Sequence, residues 1–399
     1  IEILKNKGYK AKMIVANERE VLGDLSFFKG IELLIITIPP KLDKNGNLNY
    51  DLIIEQDAST TINDRLLFAQ KAFNITANYE LVISRYFQSI SDRGSKLPIS
   101  FQKNISEYKK LRYGENPHQK GTYYGNINQL FEQLNGKELS YNNILDIDAA
   151  INLMNEFQEI SFGILKHNNA CGFASDIKVE SAWEKALAGD PISAFGGVLI
   201  TNGNINIEAA KEIDNLFFEI LIAKSFSEES LELLKSKKNR IILKKKIAKL
   251  EEVSFRTVLN GVLSQEKDYI TDNDNVKTVS NLDVSEGQME DLIFASKVCK
   301  HTKSNAIVLV KNKQLLGSGC GQTSRVDALN QAILKAKNFG FSLNNAVMAS
   351  DAFFPFPDCV EIAEKAGISA VIQPGGSKND HLSIDYCNQH NMAMVFTGN

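Results

Sequence analysis

The stretch FGILKHNNACGFASDIKVESAWEKALAGDPISAFGGVLI, residues 162–200, decides the fold class. Its first apolar run, FGIL, has the length of a buried strand and stops abruptly at Lys166 and His167, where a polar turn begins. The segment SAWEKALAG has the apolar spacing of a helix, and PISAFGGVLI contains the next strand. A strand, a turn, a helix and another strand in this order predict an α/β fold.

The same alternation continues towards the C-terminus. NAIVLV (305–310) and QLLGSG (314–319) are expected to form a hairpin, and RVDALNQAILKAK (325–337) carries one apolar stripe of a helix. The remaining segments are a helix at CVEIAEKAG and strands in AVMASDAFF, ISAVIQPGG and MAMVF. This order loosely repeats that of the first stretch, which predicts two related subdomains.

The N-terminal part is patterned differently. ELLIITIPP (32–40) has the pattern of a buried strand, and an amphipathic helix is expected after Thr61. The chain is then polar and weakly patterned. We therefore predict an N-terminal segment at 1–87, a linker at 88–110, a first subdomain at 111–285 and a second at 286–399.

Composition excludes several classes of protein. The chain has 399 residues, 43% of them hydrophobic, and a net charge of −3, so it carries no basic field that would recruit nucleic acid. One basic segment, residues 235–252, is interpreted as a solvated surface. No run approaches the roughly 20 apolar residues of a membrane span. The five cysteines are isolated, which disfavours a zinc site or disulfides and suggests a reducing, cytoplasmic setting.

Two clusters of polar residues suggest chemistry. LRYGENPHQK (111–120) contains Arg112, which can grip a phosphate or carboxylate with two hydrogen bonds, and Tyr113 beside it. In LKHNNACGF, Lys166 and His167 can act together only if the strand ends there and the chain curls, a curl assigned to the following asparagines and Cys-Gly. A general base paired with an oxyanion stabiliser and a merely structural strand end remain equally open at this point.

Two further clusters suit ligand binding. In DPISAFGG (190–197), Gly196 and Gly197 would let a ligand approach the backbone, or would form a tight turn. SDAFFPFPD (350–358) could stack a flat heteroaromatic ring against its phenylalanines, or bury them in the core. The glycines at 317–321 precede a helix and could favour an anion there, but their spacing matches neither a Walker loop nor a dinucleotide fingerprint. No GxSxG, HExxH or zinc-deaminase pattern occurs.

Taken together, these motifs resemble the bifunctional AICAR transformylase/IMP cyclohydrolase family of purine biosynthesis. The matching segments are LRYGENPHQ, LNGKELSYNN, KHNNACG, DPISAFGGV, KSNAIVL, GCGQTSRVDA, SDAFFPFPD and QPGGS, and their order covers about residues 60–399. The resemblance implies formyl transfer from 10-formyltetrahydrofolate to AICAR by a homodimer with active sites at its interface. It also implies two cytidine-deaminase-like α/β subdomains in the transformylase region.

The resemblance also implies a role for individual residues. His167 would take the proton from the attacking amine, and Lys166 would stabilise the oxyanion. The implied AICAR contacts are Arg112, Tyr113, Asn143, Phe195, Gly196, Gly197 and Asn305. The implied folate contacts are Arg325, Phe353, Pro355 and Asp358, and Asp351 resembles a residue of a structural potassium site.

The N-terminal part departs from the family pattern. The STGGT, KTLHP and IDIGG motifs of the cyclohydrolase domain do not occur, and residues 60–87 resemble only the end of that domain. The motifs therefore give no support for IMP cyclohydrolase activity in this chain. Two alternatives remain open at this stage: a bifunctional enzyme whose N-terminal domain is absent from this chain, and a non-catalytic module that binds nucleotide or folate.

Overall fold

The computed structural model describes residues 62–91, 100–270 and 276–398, which fall into two compact units, residues 1–106 and 107–399. In the first unit, helix α1 spans Ile62–Ser91 and confirms the helix predicted after Thr61. It extends into the predicted linker, while residues 92–99 lie outside the described residues. The strand predicted at 32–40 also lies outside them.

The second unit begins with a small hairpin and a series of strands and helices that ends at residue 245. Its elements are β1 Tyr108–Lys110, β2 Thr122–Tyr124, β3 Phe131–Asn135, α2 Tyr141–Met154, β4 Ser161–Lys166, β5 Asn169–Ser175, α3 Val179–Gly189, β6 Val198–Thr201, β7 Asn204–Ile205, α4 Ile207–Asp214, β8 Ile220–Ala223, β9 Ser225–Phe226, α5 Glu228–Lys235 and β10 Ile241–Lys245. The predicted strand FGIL and the helix after it are both confirmed. The interpretation of residues 235–252 as a solvated surface is partly wrong. This segment contains β10, whose Ile241, Ile242 and Leu243 are buried.

A second series follows a two-stranded hairpin. The elements are β11 Val253–Val258, β12 Gly261–Glu266, β13 Lys277–Thr278, α6 Glu286–Lys300, β14 Ile307–Lys311, β15 Gln314–Gly319, α7 Arg325–Asn338, β16 Ala346–Ser350, α8 Asp358–Ala366, β17 Ile368–Gln373, α9 Asp380–Gln389 and β18 Ala393–Phe396. The predicted hairpin and the helices and strands after it are confirmed.

One twelve-stranded mixed sheet joins the two series. Its order is β13-β18-β17-β16-β14-β15-β5-β4-β6-β8-β10-β3. Outward from the centre, each half has an antiparallel hairpin, three mutually parallel strands and an antiparallel edge strand. The halves therefore share one topology within an α/β fold. The edge strand β13 belongs to the second half although it precedes the predicted boundary at 285, and the boundaries themselves stay predictions.

The similarity between the two halves extends to the N-terminal caps of their first helices. Helices α2 and α6 each begin with a capping box, in which the side chain of Ser140 or Ser285 accepts from a backbone N–H three residues on. Each helix leads into a strand of the hairpin that follows. The first helix of each half thus has the same N-terminal cap, a serine that satisfies free N–H groups of the first turn.

The core crosses from one half to the other. Phe157 and Phe173 of the first half have ring centroids 5.2 and 5.7 Å from Phe294 of the second. At the middle of the sheet, β15 pairs with β5 through Gln314 and Ala174. The two halves therefore bury apolar surface against each other within one continuous sheet. Within the described residues, no helix has the length and apolar character that a membrane span requires.

Candidate functional site

Lys166 and His167 lie at the tip of the β4–β5 hairpin. The strand ends at Lys166, and His167 and Asn168 form a two-residue turn with φ values of 51° and 65°. Two successive left-handed residues are the signature of a type I′ turn. The expected curl is therefore present, but its assignment to Cys171 and Gly172 is wrong: both already lie in the returning strand.

The ammonium group of Lys166 points towards the loop that precedes β6. Its Nζ donates to the carbonyl oxygen of Phe195 at 2.8 Å, and the side chain is half-buried while His167 is exposed. An ammonium has three N–H donors, so this contact leaves donors for a ligand. Two clusters that were predicted separately, the Lys-His pair and the FGG loop, are thus brought together.

The loop at Phe195–Gly197 is a tight turn with an exposed aromatic pair. Gly196 has φ of 73° and donates to the carbonyl oxygen of Phe217 at 2.8 Å. The Phe195 and Phe217 rings have centroids 4.9 Å apart, and both rings are exposed. A Cβ on Gly197 would lie 3.0 Å from the carbonyl oxygen of Leu165, so the loop packs closely on β4. Both interpretations of the glycines, turn and ligand approach, are compatible with this geometry.

Asn143 is joined to the same loop through Glu219. Asn143 is buried in the first turn of α2, and its Nδ2 donates to Glu219 Oε2 at 3.0 Å. The backbone N–H of Glu219 donates to the carbonyl oxygen of Gly197 at 3.1 Å, and Lys137 pairs with its carboxylate at 3.7 Å. Glu219 belongs to none of the predicted clusters, because the two residues that it connects, Asn143 and Gly197, are far apart in the chain.

Arg112 and Tyr113 form a local pair. The guanidinium lies 4.8 Å from the centroid of the Tyr113 ring and donates to its hydroxyl at 3.0 Å. The loop that carries them is tied to α2, since Asn142 Nδ2 donates to the carbonyl oxygen of Glu115 at 3.2 Å. Arg112 itself is exposed, so its remaining N–H groups are available to an anion.

The second half contributes a network of three predicted site residues. Arg325 Nη1 donates to Asn305 Oδ1 at 2.8 Å and to Asp351 Oδ1 at 3.2 Å. The same Asp351 oxygen accepts the backbone N–H of Ala306 at 3.0 Å. These contacts hold Asn305 and Arg325 beside the first residue of β14.

A backbone contact joins the segment just before Asn305 to the β4–β5 hairpin. Lys303 donates its backbone N–H to Asn169 Oδ1 at 3.0 Å, and its carbonyl oxygen accepts from Gly321 at 2.8 Å. Asn169 is the first residue of β5, directly after the turn that carries His167. The first- and second-half clusters therefore meet at the β4–β5 hairpin.

The segment SDAFFPFPD divides between core and surface. Phe354 is fully buried, whereas Phe353 and Phe356 are exposed, so each of the two interpretations applies to part of the segment. The carbonyl oxygen of Pro355 accepts from Asn379, and Asp358 begins α8. Besides the effect of burial, the charge of Asp358 raises the pKa of the Cys359 thiol and the charge of Arg325 lowers it, so both charges act on that thiol.

The glycines of β15 have a packing role. A Cβ on Gly317 would lie 2.4 Å from the carbonyl oxygen of Ala332, and one on Gly319 would lie 1.8 Å from that of Ala328. Both carbonyls belong to α7, so these positions allow strand and helix to approach. The glycines at 317–321 are expected from the sequence to favour an anion at the start of the following helix, but Gly317 and Gly319 lie inside β15.

Three of the five cysteines are poor nucleophiles. Burial raises the pKa of the Cys171, Cys359 and Cys387 thiols to about 12. Because the thiolate is the reactive form, these residues stay protonated near neutral pH. Among the residues that the structure describes, no three His, Cys, Asp or Glu side chains are grouped so that they could hold a metal ion.

Comparisons with known proteins identify the family of this chain. The family described as AICARFT/IMPCHase bienzyme matches residues 47–335. The bifunctional purine biosynthesis protein PurH of Bacteroides thetaiotaomicron is 56% identical over 349 residues, which cover 87% of this chain and 68% of that protein. The PurH protein of Aquifex aeolicus is 44% identical over 361 residues, which cover 88% and 70%. This chain belongs to the AICARFT/IMPCHase bienzyme family.

Proposed function

We propose that this chain transfers the formyl group of 10-formyltetrahydrofolate to the exocyclic amine of AICAR, giving FAICAR and tetrahydrofolate. The observation that carries the proposal is the placement of Lys166 and His167 at the tip of β4, with the ammonium on the carbonyl of Phe195. Family membership gives the reaction class, and this hairpin gives it a general base and a cation in adjacent positions.

His167 accepts the proton of the amine as its nitrogen attacks the formyl carbon. That amine is a weak nucleophile, because its lone pair is delocalised into the imidazole ring, so removal of the proton during attack lowers the barrier. Negative charge develops on the formyl oxygen, where the Lys166 ammonium stabilises it. The bond from the formyl carbon to the folate nitrogen then breaks, and that nitrogen takes up a proton.

AICAR binds among the groups around this hairpin. Arg112 grips its phosphate with Tyr113 beside it, and Asn143, Asn305 and the loop from Phe195 to Gly197 contact the base. The link from Asn143 through Glu219 to Gly197 supports this assignment, because it fixes two of these groups relative to each other.

The folate lies against the second half. The exposed ring of Phe353, two residues before Pro355 in the chain, offers a flat apolar surface for a heteroaromatic ring. Arg325 and Asp358 supply opposite charges for contacts with the folate. The hydrogen bond from Arg325 to Asn305 supports a folate site that adjoins the nucleotide site.

A potassium ion at Asp351 fits poorly. Its Oδ1 already accepts from the Arg325 guanidinium and from the Ala306 N–H, and a cation there would face the guanidinium charge. We propose instead that Asp351 holds Arg325 in place. No step of the reaction is assigned to a potassium ion.

We propose further that the two halves are cytidine-deaminase-like subdomains and that the chain acts as a homodimer with active sites at its interface. The repeated topology of the sheet supports the first point. The β11–β12 hairpin supports the second, since Leu259 at its turn is fully exposed and Leu263 is more than half exposed. Sedimentation equilibrium tests the dimer, and a concentration-independent monomer mass would contradict it.

The test of the reaction is FAICAR formation from AICAR and 10-formyltetrahydrofolate. Wild-type chain should turn over, and His167→Ala should lower kcat about 100- to 10,000-fold, the range of a lost general base. Lys166→Ala should lower kcat about 100- to 1,000-fold, as for a lost oxyanion contact. Thermal unfolding should show both variants folded.

The matched control is His390→Ala. This histidine stacks on Tyr386 at 4.0 Å between ring centroids, at the end of α9, and its loss should leave kcat unchanged. Binding of both ligands by the wild type without turnover would favour a non-catalytic module instead. Full turnover by His167→Ala would show that another group is the base.

A further inference from the structure

We propose that Asp146 is the positioning residue of His167. Asp146 lies on α2 and its Oδ1 accepts the backbone N–H of Asn168, the second residue of the turn, at 2.8 Å. With its amide nitrogen facing α2, the Asn168 side chain also donates to Asp146 Oδ1 at 2.8 Å and to the carbonyl oxygen of Leu145 at 3.2 Å. One carboxylate therefore holds the turn that presents the imidazole.

The turn needs such an anchor. His167 and Asn168 both have left-handed backbone conformations, which are strained for residues that carry a side chain. Without a partner for its N–H groups, an exposed turn of this kind would sample other conformations. A general base must lie about 3 Å, between heavy atoms, from the group that it deprotonates. A turn that samples several conformations would not hold the imidazole at that distance.

The second half contains the same device at the equivalent place. Asp291 on α6 accepts the backbone N–H groups of Asn312 and Lys313, both at 2.7 Å. These two residues form the left-handed turn of the β14–β15 hairpin, each with φ of 53°. The position of Asp291 relative to the helix cap Ser285 matches that of Asp146 relative to Ser140. The fold thus uses an aspartate to hold each hairpin tip, but only the first tip carries an imidazole.

The imidazole of His167 also lies within electrostatic range of the Asp146 carboxylate. Burial raises the pKa of Asp146, while the Asn168 N–H and the positive charge of His167 act against that rise. Glu219, which is paired with Lys137, also raises the pKa of Asp146. The carboxylate therefore interacts with the imidazole through its charge as well as holding the backbone beside it.

This inference rests on the proposed function for the role of His167, and the test separates the two. The first measurement needs no activity. In Asp146→Ala, hydrogen exchange of the Asn168 amide should quicken at least about tenfold, because its hydrogen-bond acceptor is gone. Asp291→Ala should do the same to Asn312 and Lys313 and leave Asn168 unchanged. An unchanged rate at Asn168 in Asp146→Ala would overturn the anchor, whether or not the chain is a formyltransferase.

The second measurement is FAICAR formation. Asp146→Ala should lower kcat about 100-fold, the cost of a misplaced catalytic group, and leave the KM values for AICAR and folate within about twofold. Asp291→Ala should leave kcat within about twofold. An unchanged kcat in Asp146→Ala, or an equal loss in Asp291→Ala, would overturn the proposal. An inactive wild type would contradict the proposed function alone.

The asparagine variants cover the case in which an alanine variant does not fold. Asp146→Asn keeps an oxygen that accepts from Asn168 but removes the charge, so kcat should fall less, about tenfold. Asp291→Asn should leave kcat within about twofold. A kcat in Asp146→Asn identical to that of the wild type would overturn the role of Asp146.

Discussion

At the scale of single residues, the tip of the β4–β5 hairpin depends on backbone conformation. His167 and Asn168 adopt left-handed φ values, which asparagine tolerates better than most residues and β-branched residues tolerate least. His167 therefore has an unfavourable backbone conformation and an exposed imidazole. A strained backbone conformation persists where surrounding contacts stabilise it, and Asp146 makes that contact here.

Substitution of Asn168 measures this strain. Asn168→Val should have a free energy of unfolding about 1–2 kcal/mol lower than Asn168→Gly, because valine pays the left-handed penalty and glycine does not. Both variants lose the side-chain hydrogen bonds, so that loss does not enter the comparison. Urea unfolding of the two variants gives the difference. Equal stability would mean that the left-handed turn is not the dominant native conformation.

At the scale of elements, glycines set how closely the central strands approach their helices. A Cβ on Gly172 of β5 would lie 1.9 Å from the carbonyl oxygen of Ala186 on α3, and Gly319 of β15 meets α7 in the same way. Backbone carbonyls cannot move aside as side chains do. The strand and helix must therefore separate if a methyl group is added.

Gly172→Ala should lower the free energy of unfolding by about 1–3 kcal/mol, as expected for overpacking. The comparison variant is Gly287→Ala in the first turn of α6, where a Cβ meets nothing within 4 Å. That variant should gain up to about 1 kcal/mol from helix propensity. Opposite signs in urea unfolding support the packing argument, and a stable Gly172→Ala would refute it.

At the scale of the whole molecule, an ion cluster joins the two halves. Glu156, just after α2, accepts from His301 Nε2 at 2.9 Å and pairs with Lys300 Nζ at 3.0 Å. The carboxylate is 10% exposed, so solvent screens it little. Burial raises the pKa of Glu156, but the hydrogen bonds and charges of His301 and Lys300 outweigh it, and the pKa is lowered overall.

This lowered pKa makes a pH-dependent contribution to stability. A carboxyl whose folded pKa is below its unfolded value stabilises the fold above the unfolded pKa, about 4.3, and loses that effect as pH falls through the folded value. Glu156→Gln should therefore lower the free energy of unfolding by about 2 kcal/mol at pH 7 and by less below about pH 4. Glu138→Gln, which removes an exposed pair with Lys109, should change stability little at either pH. A pH-independent deficit in Glu156→Gln would contradict the linkage.

Local chemistry made much of the fold predictable. Strand and helix order follows from apolar periodicity, which is visible within ten or fifteen residues. The hairpin at Asn312 and Lys313 and the helix that begins at Arg325 were both predictable in this way. The clusters around Arg112 and His167 could likewise be found from the sequence, because each is contiguous.

The sequence by itself determined the order of elements, the contiguous motifs and the resemblance that they carry. Only the tertiary structure decided that β5 meets β15, that Arg325 holds Asn305 and Asp351, and that Asp146 anchors the turn of His167. The physical reason is that periodicity and turn chemistry act between neighbours in the chain. Strand pairing and side-chain hydrogen bonds between distant residues depend on the packed sheet, and no local pattern records them.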